Sequence, residues 1–115
     1  MTGYELYNKV CFLLGYYDFI QDNDSSKKLA FLGMINQITD DLKLKGIEAL
    51  SDKMDIDLKY RDALIYGCAM LFSMSLKDSG CAKMYSVLYA NKRSSVLSAT
   101  DTRRDVLPKP LGGGT

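Results

Sequence analysis

The sequence predicts an all-α fold: a small bundle of about four helices with a short extended or irregular insertion and an extended C-terminal arm. Three observations predict it. Apolar residues recur at three- and four-residue spacing in four separate stretches, the pattern of helices with a buried face. Only residues 55–58 alternate apolar and acidic side chains as a strand does. The closing stretch, SATDTRRDVLPKPLGGGT, joins basic residues to two prolines and three glycines and cannot extend a bundle.

The first helix opens with Thr2 and, three residues later, Glu5, the spacing of a capping box in which each side chain satisfies the other's amide. Leu6, Val10, Leu13 and Leu14 form its apolar stripe, and Gly15 suits a left-handed helix end. YYDFIQDNDSS follows as a loop. Tyr16, Tyr17, Phe19 and Ile20 are too apolar for a solvated loop, so they either fold back onto the core or form a contact between subunits. Asp24 or Ser25 caps a second helix whose buried face is Phe31, Leu32, Ile35, Ile38 and Leu42. That helix ends near LKLKG, with Lys43 and Lys45 at its negative terminus and Gly46 after them. Asn36 and Gln37 fall off or at the edge of the stripe and are expected in solvent.

IEALSDKMDIDLKY is the insertion. Its Asp52, Asp55 and Asp57 lack the central glycine and closing glutamate of a calcium loop, so no metal site is expected there. A third helix over residues 61–76 places Ala63, Tyr66, Gly67, Met70, Leu71 and Met74 in one row and Leu64, Cys68 and Phe72 in another. A helix apolar on most of its circumference is a central one. Gly67 costs about 1 kcal/mol there relative to Ala, which is explained by close approach of another helix or of a neighbouring subunit. Ser79 and Gly80 make a short turn. A fourth, antiparallel helix carries Cys81, Ala82, Tyr85, Leu88 and Tyr89 on one face and frays between Arg93 and Val96. The expected organisation is a helical domain over residues 1–95 and an extended arm over 96–115.

With 115 residues, 47% of them hydrophobic, the chain makes one domain with a modest core. Its net charge of +1 does not predict a nucleic-acid binder. Charge is uneven, however. From Lys92 onward there is a surplus of three positive charges, which leaves the preceding body at −2. Cys11, Cys68 and Cys81 lie in apolar surroundings and are expected to be buried thiols, as suits a reducing cytosol. No apolar run approaches the ~18 residues of a membrane span, and MTGYELYNK lacks the pattern of a secretory signal.

There is no histidine, which removes the commonest general base and metal ligand together. Asp40 and Asp41 are adjacent and diverge on a helix. No phosphate-binding glycine loop is present, since the glycines at 112–114 have no strand before them and no helix after them. No catalytic residue, cofactor or metal is therefore expected. A helix-turn-helix reading would place Lys83, Lys92 and Arg93 on a DNA-reading helix, yet that helix has few base-reading residues at its N-terminal end. The arm is distinct. Leu107 precedes Pro108, which disfavours helix, and Pro108 and Pro110 favour extended geometry. Val106, Leu107 and Leu111 are apolar anchors, and Arg103 and Arg104 would pair with acids on a partner.

The capped helix ending in LLGY, the helix ALIYGCAMLFSMSLKD, the Tyr85 and Tyr89 pair and the basic extended tail together resemble the head–tail connector adaptor (head-completion) proteins of long-tailed bacteriophages. The resemblance covers most of the chain. It implies a small α-helical virion protein of the neck, made in the host cytoplasm, that forms a ring, commonly twelve-fold, beneath the portal protein. The ring extends the DNA channel without sequence-specific binding and docks a stopper or tail-terminator protein. The resemblance assigns Thr102, Arg103, Arg104, Val106, Leu107, Pro108, Lys109, Pro110 and Leu111 to portal or neighbour binding. Tyr16, Tyr17, Phe19 and Gly67 are the candidate contacts between subunits. The alternatives are a small helical DNA-binding or regulatory phage protein and a tail-completion protein.

Overall fold

The computed structural model describes residues 1–21 and 25–105, with side chains up to residue 98. Among the described residues there are five helices: α1 (Gly3–Leu14), α2 (Tyr17–Ile20), α3 (Ser25–Asp41), α4 (Leu58–Ser75) and α5 (Ser79–Asp105). The all-α expectation holds. The insertion between α3 and α4 contains no strand. Its only ladder-like contact among the described residues is a single antiparallel bridge between Lys53 and Thr2.

α4 is the centre, as its two apolar rows require: α1, α3 and α5 all pack against it. The row Leu64, Cys68 and Phe72 is fully enclosed, whereas Tyr66, Met70 and Leu71 are half-buried and Met74 is exposed. Phe72 anchors an aromatic cluster. The rings of Tyr7 and Phe31 meet it edge-on at 5.7 and 5.6 Å, and each other at 5.1 Å. Such edge-to-face pairs contribute about 0.5–1.5 kcal/mol beyond their area burial. Tyr7, which is not among the residues expected to form the α1 stripe, is also buried, one of the largest fully enclosed side chains.

The helix ends follow local chemistry. Thr2 and Glu5 form the expected capping box, with the Thr2 amide donating to Glu5 Oε1 at 2.8 Å and the Glu5 amide to Thr2 Oγ1 at 3.2 Å. Gly15 ends α1 in the left-handed region, φ 83°. The ends of α3 and α4 differ from expectation. Lys43 and Lys77 take the left-handed position at φ 62° and 60°. The Leu44 amide then reaches back to the Thr39 carbonyl at 2.7 Å, and the Asp78 amide to that of Ser73 at 2.9 Å. Gly46 is therefore not the stop of α3. A Cβ on Gly46 would collide with the amide oxygen of Asn36. Asn36, expected in solvent, instead clamps the insertion: its Nδ2 donates to the Ile47 carbonyl at 2.9 Å, and the Ile47 amide donates to its Oδ1 at 2.8 Å. Gln37 is exposed.

Two further boundaries are corrected. Ser79 and Gly80 are not the turn but the first residues of α5, capped by Asp78 Oδ1, which accepts the Cys81 amide at 3.2 Å. α5 also continues to Asp105 rather than fraying between Arg93 and Val96. Arg93 is tied to Asp41, Val96 is buried and Leu97 packs on the core, so the side chains there reward helix. No proline interrupts the chain before Pro108. The first part of the expected extended arm, including Thr102, Arg103 and Arg104, is thus helical.

α4 and α5 run antiparallel along their length. Met74 and Ala82 line one pocket, Tyr66 meets Tyr85 at 6.0 Å, and Asp62 pairs with Lys92 at 3.9 Å. The approach is closest at Gly67. A Cβ there would stand 2.8 Å from Ile38 Cγ2 and 2.9 Å from Tyr89 Cε1. Gly67→Ala should therefore destabilise the fold by about 1–3 kcal/mol through overpacking, despite a gain in helix propensity. Gly33→Ala, on α3 with nothing within 4 Å of the added atom, should stabilise it by about 0.5–1 kcal/mol. Urea unfolding of the two variants checks both signs.

Candidate partner interface

One end of the bundle is built by the loop after α1. Gly15 turns the chain, and the Tyr16 amide returns to the Cys11 carbonyl at 2.9 Å. This starts α2, a single turn that the sequence presented as loop. Its residues divide by side. Tyr16 and Phe19 stack at 5.2 Å and meet Phe72 edge-on at 6.4 and 6.2 Å. Tyr17 turns outward, 58% exposed, and meets the 63% exposed Phe12 edge-on at 5.5 Å. Tyr16 also donates its hydroxyl to Asp78 Oδ2 at 2.7 Å, tying this end to the α4–α5 turn. Met74, in the last turn of α4, is another exposed apolar residue near that turn.

A second tyrosine–aspartate bond holds the opposite part of α5. Tyr89 donates to Asp41 Oδ2 at 2.5 Å, and Arg93 Nε donates to the same oxygen at 2.7 Å. Asp41 ends α3, so this group fastens α5 to α3 across the Gly67 contact. The Tyr89 hydroxyl and then the Arg93 guanidinium hold the Asp41 carboxyl below the usual range. Burial, then the bond to Asp41, pushes the Tyr89 hydroxyl up. At the other brace, the bond from Tyr16 lowers Asp78, and the bond to Asp78 raises Tyr16 to about 12. On its outer side α5 exposes Met84, Val87 and Leu88, so Leu88 does not share the buried face of Tyr85 and Tyr89.

Cys11 and Cys68 are buried and Cys81 is half-buried. Burial raises all three thiols, and the Asp78 carboxylate adds to this at Cys81, which opposes thiolate formation. Among the described residues no group of three or more Cys, Asp or Glu is placed to hold a metal ion. Asp52 is engaged locally, its Oδ2 accepting the Glu48 and Ala49 amides at 3.0 Å each. No described helix is long and apolar enough to cross a membrane.

Of the four candidate subunit contacts, Tyr17 alone is open to solvent as expected of a contact. Tyr16 and Phe19 are half-buried against Phe72, and Gly67 is enclosed by its own chain's Ile38 and Tyr89 rather than by a neighbour. Phe12 was missed. The signal lay in its position on α1, an aromatic off the Leu6 and Val10 stripe. In the arm, Thr102, Arg103 and Arg104 belong to α5, and Val106, Leu107, Pro108, Lys109, Pro110 and Leu111 lie outside the described residues. No protein-family model, no curated protein and no solved structure matches the chain.

The two braces set the pH response. Asp41 and Asp78 have depressed folded values, so their contribution is complete above the ordinary aspartate value and is lost as pH falls through the folded one. Tyr16 and Tyr89 have raised folded values, so theirs is complete below the ordinary tyrosine value and is lost as pH rises through the folded one. Thermal melting should therefore be flat between about pH 5 and pH 9 and fall on both sides. In Tyr89→Phe the decline on both sides should be shallower, and stability at neutral pH should be lower by about 1 kcal/mol or less.

Proposed function

We propose that this protein is a structural component of a phage neck, a head-to-tail connector adaptor that binds the portal through the segment following α5. The observation that carries this reading is the length of α5. From Val96, whose side chain is buried against the body, nine further helical residues lead to Asp105. At about 1.5 Å per residue they carry the chain about 13 Å onward. The basic, proline-bearing residues 106–111 follow directly on this helix in the sequence, as an arm for a neighbour requires. The exposed Phe12 and Tyr17 pair supports a second contact, because aromatic side chains dominate the energetics of protein interfaces. A ring needs two different surfaces on each subunit, and the arm and this aromatic end are two such surfaces. The role is structural rather than catalytic.

The DNA-binding alternative is weakened by the same geometry. Lys92 and Arg93 are paired with Asp62 and Asp41, and α4 and α5 lie antiparallel instead of crossing steeply as in a helix-turn-helix. Deleting residues 102–115 should leave the melting temperature within about 2 °C of the parent, on the expectation that surface segments contribute little. The same deletion should abolish capture by immobilised portal rings. A large fall in melting temperature, or capture that survives the deletion, would contradict the reading.

A further inference from the structure

We infer that the outer face of α5 is a contact with a second copy of this chain, a two-fold pairing centred on Val87. The pairing stands apart from the adaptor reading, because it uses neither the arm nor the Phe12 and Tyr17 end. α5 packs chiefly on α4. On its other side Met84 and Val87 are 50% and 58% exposed, and Leu88 is 36% exposed. Their spacing, i, i+3 and i+4, puts all three on one face of the helix. Asn91 and Ser95 continue that face at i+7 and i+11, and both are exposed.

The face is also without charge. Between Met84 and Ser98 the charged residues are Lys92 and Arg93. Both are drawn to carboxylates of their own chain, Lys92 to Asp62 at 3.9 Å and Arg93 to Asp41 at 2.7 Å. Lys83 lies on the flank of the row. An apolar centre with a neutral polar margin is the composition of an interface core.

That neutrality selects the occupant. A nucleic acid, or a strongly acidic or basic segment, would find no opposite charge on the face. An identical face is neutral as well, and it matches. Around a two-fold axis at Val87, the Met84, Val87 and Leu88 side chains of both copies lie within one turn of the axis, so apolar groups meet apolar groups and Asn91 falls at the margin. The area sets the strength. Residues 79–98 offer a strip about 30 Å long and about 10 Å wide. Two such strips reach only the low end of specific interfaces, about 1,200 Å² in total, so the pairing depends on concentration.

Sedimentation equilibrium of the full chain tests this. Between about 5 µM and about 500 µM, a span that brackets weak association, the mass should rise from 12.9 kDa to twice that value. Val87→Lys, which sets two cations beside the axis, should weaken the pairing about tenfold or more. It should leave the melting temperature of the dilute protein unchanged, because the position is exposed. Val87→Cys tests the axis independently of how Val87→Lys folds: mild oxidation should join two copies through residue 87, identified by peptide mass. A mass of one copy at every concentration would overturn the inference. So would a dimer that Val87→Lys leaves intact, a mass that climbs past two copies, or a Val87→Cys protein that crosslinks only through Cys81. Portal capture is a separate measurement, so the adaptor reading stands or falls without these results.

Discussion

The contact at Gly67 is the constraint on which the other features depend. α4 has three helices against it, and two of them, α3 and α5, converge where its side chain is a hydrogen. Only this absence lets Ile38 and the Tyr89 ring close over α4. Once they have closed, the Tyr89 hydroxyl is in reach of Asp41, and Arg93 follows one turn later. A central glycine thus converts a helix penalty into the seat of the longest helix in the molecule.

The two tyrosine–aspartate bonds give that seat a direction. Tyr16 with Asp78 fixes the beginning of α5, and Tyr89 with Asp41 fixes its middle. Each is modest alone, because both carboxylates remain in contact with water. Together with the enclosed core they hold α5 antiparallel to α4. By sequence, α5 closes with Arg103 and Arg104, and Lys109 follows between two prolines.

Much of the fold was legible in the sequence because it was written in local chemistry. The Thr2 and Glu5 capping box, the Gly15 stop and the buried rows of α3 and α4 each depend on residues a few positions apart. The errors arose where tertiary contacts decided. Lys43 and Lys77 adopt a conformation that favours glycine, so the sequence pointed to Gly46 and Gly80 instead. Asn36 looked solvated because its partner, Ile47, is eleven residues away across a turn. The end of α5 was placed too early because Arg93 and Val96 are held by Asp41 and the core, not by helix propensity. Of the candidate interface, Tyr17 was readable as a sticky aromatic. The division of Tyr16 and Phe19 inward from Tyr17 and Phe12 outward required the position of Phe72.

A neck adaptor must add a closed set of copies to a portal, and mass is the quantity that separates this from every simpler binding event. Light scattering of portal rings saturated with the full chain should show an increase equal to a whole ring of 12.9 kDa subunits, reached cooperatively. An unchanged portal mass, or an increase of one or two subunits that never closes, would contradict the role assigned to α5 and the segment it carries.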